Sequence, residues 1–179
     1  MKSFSIIAAT DLNSGIGKNG VIPWNERDDM IFFKHTTTYT QDETKLNAVI
    51  MGRVTFESMR EKPLKDRMNV VVTQREYPDA PPNLLVTKSL NVALESLNRM
   101  PNVERIFVIG GQQLYNEAIV HPDCRRIFLN KIDVNCECDT FFPLIDVQKF
   151  GLVSQIVLNE RVLACMYSRC KEQTTHRKN

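Results

Sequence analysis

The sequence predicts an α/β protein with one domain over residues 1–170. Short, β-branched apolar runs recur along the chain, and stretches with apolar residues three and four apart fall between them, so strand and helix alternate. The last two runs are separated only by Asn159, Glu160 and Arg161, too few residues for a parallel crossover, which predicts an antiparallel hairpin at the end.

The first run, residues 4–10, reads as a buried strand. The Gly-rich stretch Gly15-Ile16-Gly17-Lys18-Asn19-Gly20-Val21-Ile22-Pro23-Trp24 follows it. Its Gly-x-Gly-x-x-Gly spacing does not open a helix and Pro23 interrupts it, so it is a loop able to approach a ligand and not a dinucleotide fingerprint. Residues 26–37 read as a helix, with Asn25 as its cap and Asp28, three residues on, as the acidic capping partner. Further runs at 48–52, 69–73, 84–87, 105–110 and 126–132 are continuous and not alternating, which suits strands covered on both faces of a mainly parallel sheet. Helices are predicted at 54–60, 89–99 and 111–119, and the closing hairpin at 152–158 and 162–168. The polar segment 171–179 is predicted to be disordered.

Composition narrows the function classes. The 179 residues are 42% hydrophobic and 25% charged, enough for a core that needs neither disulfides nor metal. The net charge of +2 comes from Lys and Arg scattered among acids, which disfavours nucleic-acid partners. The N-terminus lacks the long apolar region and cleavage site of a secretory signal, and no stretch approaches the roughly 20 apolar residues that span a bilayer. Five cysteines, an odd number without secretory context, predict free thiols and a cytoplasmic location. Cys136-Glu137-Cys138 is too closely spaced for a usual zinc pair, and His35, His121 and His176 show no metal or triad spacing, so no metal is expected.

Three constellations point to chemistry. Asp29 shares an arc of its helix with Met30, Phe32 and Phe33, where a carboxylate is costly unless it binds a ligand or moves a proton. The junctions Gly52-Arg53-Val54-Thr55 and Gly110-Gly111-Gln112-Gln113 each end a strand and open a helix, the position at which open sheets of this class bind phosphates and nucleotides. Spacing alone stops at an α/β nucleotide-binding enzyme with an unusual carboxylate.

The strings GIGKNGVIPW, IMGRVTFES, PLKDRMN, FVIGGQQLY and DTFFP, kept in this order from near residue 4 to about residue 168, closely resemble the dihydrofolate reductases, and the animal-type, monofunctional members in particular. The resemblance implies an eight-stranded, mainly parallel twisted sheet with an antiparallel C-terminal strand and about four flanking helices. It implies an enzyme that reduces dihydrofolate to tetrahydrofolate with NADPH, a soluble monomer that binds folates and antifolates. The pterin-binding carboxylate falls on Asp29, where animal-type members have Glu after a loop one residue longer. Ile7, Ala9, Ile22, Met30, Phe33, Met59, Ile109 and Tyr115 match the lining of the pterin and benzoyl pocket, Trp24 and Thr140 the groups that order the carboxylate, and Arg67 the guanidinium that forks onto the glutamyl α-carboxylate.

For the cofactor, Ala9, Ile16, Gly17, Lys18, Gly52, Arg53, Val54, Thr55, Gly110, Gly111, Gln112, Gln113, Leu114 and Tyr115 match the nicotinamide, ribose and pyrophosphate positions, with a cis peptide between Gly110 and Gly111. Arg53, Thr73, Gln74, Arg75 and Lys88 match the surroundings of the adenosine 2′-phosphate. Gln74 stands where animal-type members often carry Arg, and Val54 replaces a polar or basic residue. A pyrimidine-sugar reductase of similar fold would not need Trp24, Asp29, Phe33 and Arg67 together, and a folate-binding protein without turnover would not need the two glycine junctions.

Overall fold

A computed structural model describes residues 2–78 and 80–171, so the expectation of a disordered tail lies outside the described residues beyond Lys171. In chain order the elements are β1 (Phe4–Thr10), β2 (Gly15–Gly17), α1 (Arg27–Thr38), β3 (Leu46–Gly52), α2 (Arg53–Ser58), β4 (Arg67–Val72), β5 (Leu84–Thr87), α3 (Leu90–Asn98), β6 (Val103–Val108), α4 (Gln112–Val120), β7 (Cys124–Ile132), β8 (Thr140–Phe141), β9 (Phe150–Asn159) and β10 (Val162–Arg169).

Eight strands form one sheet in the order β5-β4-β3-β6-β1-β7-β10-β9. The pairs among β5, β4, β3, β6, β1 and β7 are parallel, and β10 alone is reversed, pairing antiparallel with both β7 and β9. The predicted hairpin is thus the final pair β9 and β10, turning at Glu160 and Arg161. The continuous apolar runs are explained by two covered faces. Ile6, Ala48, Ile50, Val70, Ile106 and Val108 join Leu90, Leu94, Leu114 and Ala118 of α3 and α4 in one core cluster, while their neighbours Ile7, Val49, Met51, Val71 and Phe107 face Phe32, Phe33 and Phe56 of α1 and α2.

Two small strands escaped the pattern. β2 and β8 pair with each other outside the main sheet, through Gly15 with Phe141 and Gly17 with Thr140. Neither is long enough to show a period.

The start of α1 also differs from expectation. Its cap residue is Glu26, with no side-chain hydrogen bond to the helix, so Asn25 and Asp28 do not form a capping pair. Instead the β9–β10 hairpin reaches over this helix end: Asn159 Nδ2 donates to Asp28 Oδ2 at 2.7 Å, and Arg161 pairs with Glu26 at 3.2 Å. These partners are more than a hundred residues distant in sequence, beyond the reach of a spacing argument. Ser89 does cap α3, its Oγ accepting from Val92 N at 3.3 Å.

Chain order and sheet order together fix the functional edge. After β5 the chain returns to insert β6 between β3 and β1, then passes through α4 to place β7 on the other side of β1. The winding changes direction at this point, and the carboxyl ends of β1, β3 and β6 border a crevice where such sheets bind ligands.

Candidate active site

Asp29, in the first turn of α1, is 7% exposed. Its Oδ1 accepts from Asn130 Nδ2 of β7 at 2.8 Å. Burial pushes its pKa up from the ordinary aspartate value; the Asn130 amide and, from outside direct hydrogen-bond geometry, the Trp24 indole N–H oppose the rise, and the Glu26 charge adds to it. The net direction is upward. Trp24 Nε1 is buried and has no hydrogen-bond partner among the described residues, a polar group beside a carboxylate that a polar ligand or solvent could satisfy.

Asn130 lies opposite Ala9 in the β1–β7 register, so the carboxylate sits over the carboxyl end of the central strand. Below it, Tyr115 of α4 donates its hydroxyl to Ile7 O at 2.9 Å. Burial, with the negative Asp29 adding to it, pushes the phenol far up, so it remains a neutral donor. Tyr115 also supports Gly110 from beneath, since a Cβ at Gly110 would meet its ring and hydroxyl at 3.2 Å.

Thr140 does not order this carboxylate. It belongs to β8, and its hydroxyl donates to Gly17 O at 3.1 Å. The group that does meet Asp29 is Asn130, a polar residue inside a strand of apolar neighbours that the sequence reading missed. Its signal was available: a buried polar side chain in a run such as Ile127-Phe128-Leu129-Asn130 needs a partner.

One turn along α1 from Asp29, Phe33 packs with Met59, Leu64 and Ile109 around the same apolar cluster. Met30 and Ile22, by contrast, are 54% and 58% exposed and not part of the core. Arg67 is 6% exposed with its guanidinium 5.9 Å from the Phe33 ring centre. Its Nε donates to Lys65 O at 2.9 Å and its NH1 to Thr37 Oγ1 at 2.7 Å, while Thr37 donates on to Phe33 O at 2.7 Å. Among the described residues no carboxylate lies within salt-bridge distance of Arg67, which leaves a fixed, nearly buried fork with one side open to an anion.

The two glycine junctions meet. Gly52 N donates to Gly110 O at 2.7 Å, the expected cis peptide joins Gly110 and Gly111, and a Cβ at Gly111 would stand 3.3 Å from Thr55 Oγ1. Backbone therefore comes close to whatever lies over β3 and β6, with Thr55 beside it. Gln112 is tied to β8, its Oε1 accepting from Phe141 N at 2.6 Å; Gln113 is exposed and Leu114 buried. Ile16, Gly17 and Lys18 form the facing wall, although Lys18 Nζ turns away to Cys136 O and Glu137 at 3.4 and 3.2 Å.

Farther along the same edge, a cavity of about 350 Å³ is lined by Thr73, Gln74, Arg75, Tyr77 and Lys88. The Tyr77 hydroxyl is buried there without a partner among the described residues. Arg75 of this cavity is linked to Arg53 through Glu57: Arg53 NH1 donates to both Glu57 oxygens at 2.7 Å, and Arg75 NH1 contacts Glu57 at 3.3 Å and Glu61 at 3.1 Å. Val54 is 55% exposed. A second cavity, of about 250 Å³, lies behind α1 against Phe32, His35, Tyr39 and Arg105 and includes none of the predicted site residues.

No helix among the described residues is long and apolar enough to cross a membrane, and among them no group of three or more His, Cys, Asp or Glu is arranged to hold a metal.

In comparisons with known proteins, residues 3–168 match the family model of dihydrofolate reductase. The chain is 39% identical over 156 residues to the dihydrofolate reductase of Heliothis virescens, covering 84% of both chains. It is 40% identical over 148 residues to that of Drosophila melanogaster, covering 81% of both. A bifunctional dihydrofolate reductase-thymidylate synthase of Daucus carota is 42% identical over 156 residues, 83% of this chain and 30% of that longer protein. A family match over nearly the whole chain, joined to a buried carboxylate, an open guanidinium fork and paired glycine junctions along one sheet edge, assigns the chain to the dihydrofolate reductase family, enzymes that reduce dihydrofolate.

Proposed function

We propose that this chain reduces 7,8-dihydrofolate to 5,6,7,8-tetrahydrofolate with NADPH, using Asp29 as its one ionisable group at the pterin. The observation that carries this reading is the 7% exposed Asp29, kept at the sheet edge with a single direct side-chain donor and a raised pKa.

The residues fit both ligands. Asn130 makes a single bond to one oxygen of Asp29, so the two carboxylate oxygens keep lone pairs to accept, one each, from the 2-amino group and the ring N–H of a pterin, a paired contact that needs the ionised form. Arg67 would take the glutamyl α-carboxylate with the side of its fork that Lys65 and Thr37 leave open. For NADPH, the buried unpartnered Tyr77 hydroxyl, Thr73, Lys88 and the two guanidiniums suit the 2′-phosphate, and the side-chain-free faces of Gly52 and Gly111 suit its pyrophosphate.

When bound, NADPH supplies the hydride that pterin C6 receives. The protein's part is to hold Asp29 charged beside a pterin whose N5 becomes protonated, so that the carboxylate favours the cationic form electrostatically. Phe33, Ile7 and Ile109 exclude water from that charge and raise its influence. The loop that carries Gly15, Ile16 and Gly17 closes the pocket from the other side.

The test is the oxidation of NADPH in the presence of dihydrofolate, followed spectrophotometrically with NADH as the comparison. NADPH should be preferred tenfold or more, since each charge-assisted bond to the 2′-phosphate contributes about 1.5–3 kcal/mol. Turnover without dependence on dihydrofolate, or equal efficiency with both cofactors, would count against the reading.

A further inference from the structure

The Cys136-Glu137-Cys138 motif has no part in the reaction above, yet it lies at the centre of the hydrogen bonding that holds the Gly-rich loop. Asp11, 3% exposed, anchors this region. Its Oδ1 accepts from Asn13 N at 2.9 Å and Gly15 N at 2.7 Å, and its Oδ2 from Cys136 N at 3.1 Å and the Cys138 thiol at 3.7 Å. The Cys138 side chain occupies the space that a side chain at Gly15 would need, for a Cβ there would fall 2.4 Å from Cys138 Cβ and 2.5 Å from its sulfur.

The segment around the motif clamps the loop at several further points. Leu12 N donates to Val134 O at 3.0 Å, Phe142 N to Ser14 O at 2.8 Å, Asp139 N to Gly17 O at 3.0 Å, and Asn19 N to Asp139 Oδ2 at 2.7 Å. A rearrangement at residues 136–138 therefore acts directly on the wall that faces the cofactor.

The two thiols are separated by a single residue. Glu137 has φ 50°, in the left-handed region, and its N–H bonds to Asn135 Oδ1 at 3.3 Å. One intervening residue keeps the two flanking Cα atoms within roughly 6.6 Å, the extended value, whatever its conformation. That lies inside the window a disulfide requires. Cys136 is partly exposed and its thiol makes none of the contacts that hold Cys138, so it is the one free to meet an oxidant.

We propose that Cys136 and Cys138 are a reversible thiol–disulfide pair, and that closing the disulfide draws Cys138 away from Gly15 and Asp11 and loosens the loop over residues 11–21. The oxidant is a low-molecular-weight disulfide such as oxidised glutathione. The Cys136 thiolate attacks one of its sulfurs, forming a mixed disulfide and releasing one thiol. Cys138 then gives its proton to solvent and attacks the Cys136 sulfur, releasing the second thiol, so two protein thiols are oxidised as one disulfide is reduced to two thiols. Burial, with the neighbouring Asp11 charge, pushes the Cys138 thiol up, which suits the second and intramolecular step better than the first. Cys124 and Cys165 are buried elsewhere, in β7 and β10.

The effect on turnover rests on the functional reading above; the disulfide itself does not. The experiment equilibrates the full chain in glutathione buffers of graded redox poise, quenches with acid, alkylates, and maps tryptic peptides. The peptide that spans residues 132–149 contains both cysteines. It should lose two alkylation sites together, with a mass lower by about 2 Da and full reversal by dithiothreitol. The Michaelis constant for NADPH should rise roughly tenfold in the oxidised protein, return on reduction, and stay at the reduced value in Cys136→Ser. Cys136→Ser leaves the Cys138 contacts intact, so it remains informative if Cys138→Ser fails to fold. Both cysteines staying open to alkylation, or only a stable glutathione adduct, overturns the pair. A disulfide that leaves the Michaelis constant unchanged overturns its effect on the loop. A reduced chain that binds no NADPH overturns the functional reading and leaves the thiol chemistry standing.

Discussion

Asn130 Nδ2 donates to Asp29 Oδ1 at 2.8 Å, joining the middle of the sheet to the first turn of α1. Asn130 is 2% exposed and its side-chain Oδ1 is buried without a partner among the described residues, so its amide is oriented by the carboxylate alone. That donor opposes the rise that burial imposes on Asp29. Replacing Asn130 with Ala should therefore move the Asp29 pKa farther up and shift the low-pH loss of folate binding toward neutral pH, because binding needs the ionised form. Thr140→Ala should leave that profile in place, since its hydroxyl serves Gly17. Folate affinity measured across pH for both variants checks the contrast; a shift in Thr140→Ala alone would reverse the assignment.

Arg67 is held from two sides by Lys65 O and Thr37 Oγ1, so its fork is fixed before any ligand arrives. Arg67→Leu should raise the Michaelis constant for dihydrofolate by roughly a hundredfold while changing turnover little, as the contact lies away from the reacting atoms. A pterin substrate lacking the glutamyl tail should be used about equally well by both proteins. Equal losses on both substrates would mean that Arg67 acts through packing.

Glu57 restrains the two guanidiniums proposed for the 2′-phosphate. Glu57→Gln removes that competition and should tighten NADPH binding by about two- to fivefold at low salt, fading as salt is raised, with no change for NADH. Weaker NADPH binding in this variant would show that Glu57 orders the arginines for the phosphate and does not compete with it.

Much of this was legible in the sequence, and the reasons for the rest are physical. Long runs such as Ala48–Gly52 and Arg105–Ile109 gave their strands because both faces are buried, whereas β2 and β8 have three and two residues and depend on pairing across more than a hundred positions. Asp29 stood out because charge in an apolar arc is anomalous by itself. Its partner Asn130 did not, and the family's string DTFFP drew the role to Thr140, which lies ten residues on, in another strand. Asn25 and Asp28 had the spacing of a helix cap, but tertiary contacts from Asn159 and Arg161 took over that helix end. Local chemistry was readable where it is decided locally. The Glu57 network and the Asp11 anchor join side chains from separate loops, and spacing does not encode them.

The buried carboxylate also carries a stability consequence. Folding raises the Asp29 pKa, so the folded state favours the protonated carboxyl; stability from this group is full below the unfolded pKa and is lost as pH rises through the folded one. At neutral pH the ionised Asp29 therefore weakens the free enzyme. Asp29→Asn should raise Tm in the absence of ligands by on the order of 2 °C or more at neutral pH, and the gain should vanish in acid. Thermal unfolding at several pH values decides this, and a variant less stable at neutral pH would contradict it.

The most direct test of the account compares turnover of Asp29→Asn and Asp28→Asn with dihydrofolate and NADPH, at neutral pH and in mild acid. Asp28 is bonded to Asn159 at the surface end of α1, so its substitution should cost about 0.5–1 kcal/mol of stability and leave turnover near normal. Asp29→Asn should lose on the order of a hundredfold or more at neutral pH and regain part of the rate in acid, where solution protons replace the charge support at N5. Full activity of Asp29→Asn at neutral pH, with loss in Asp28→Asn, would contradict the assignment of the reacting carboxylate.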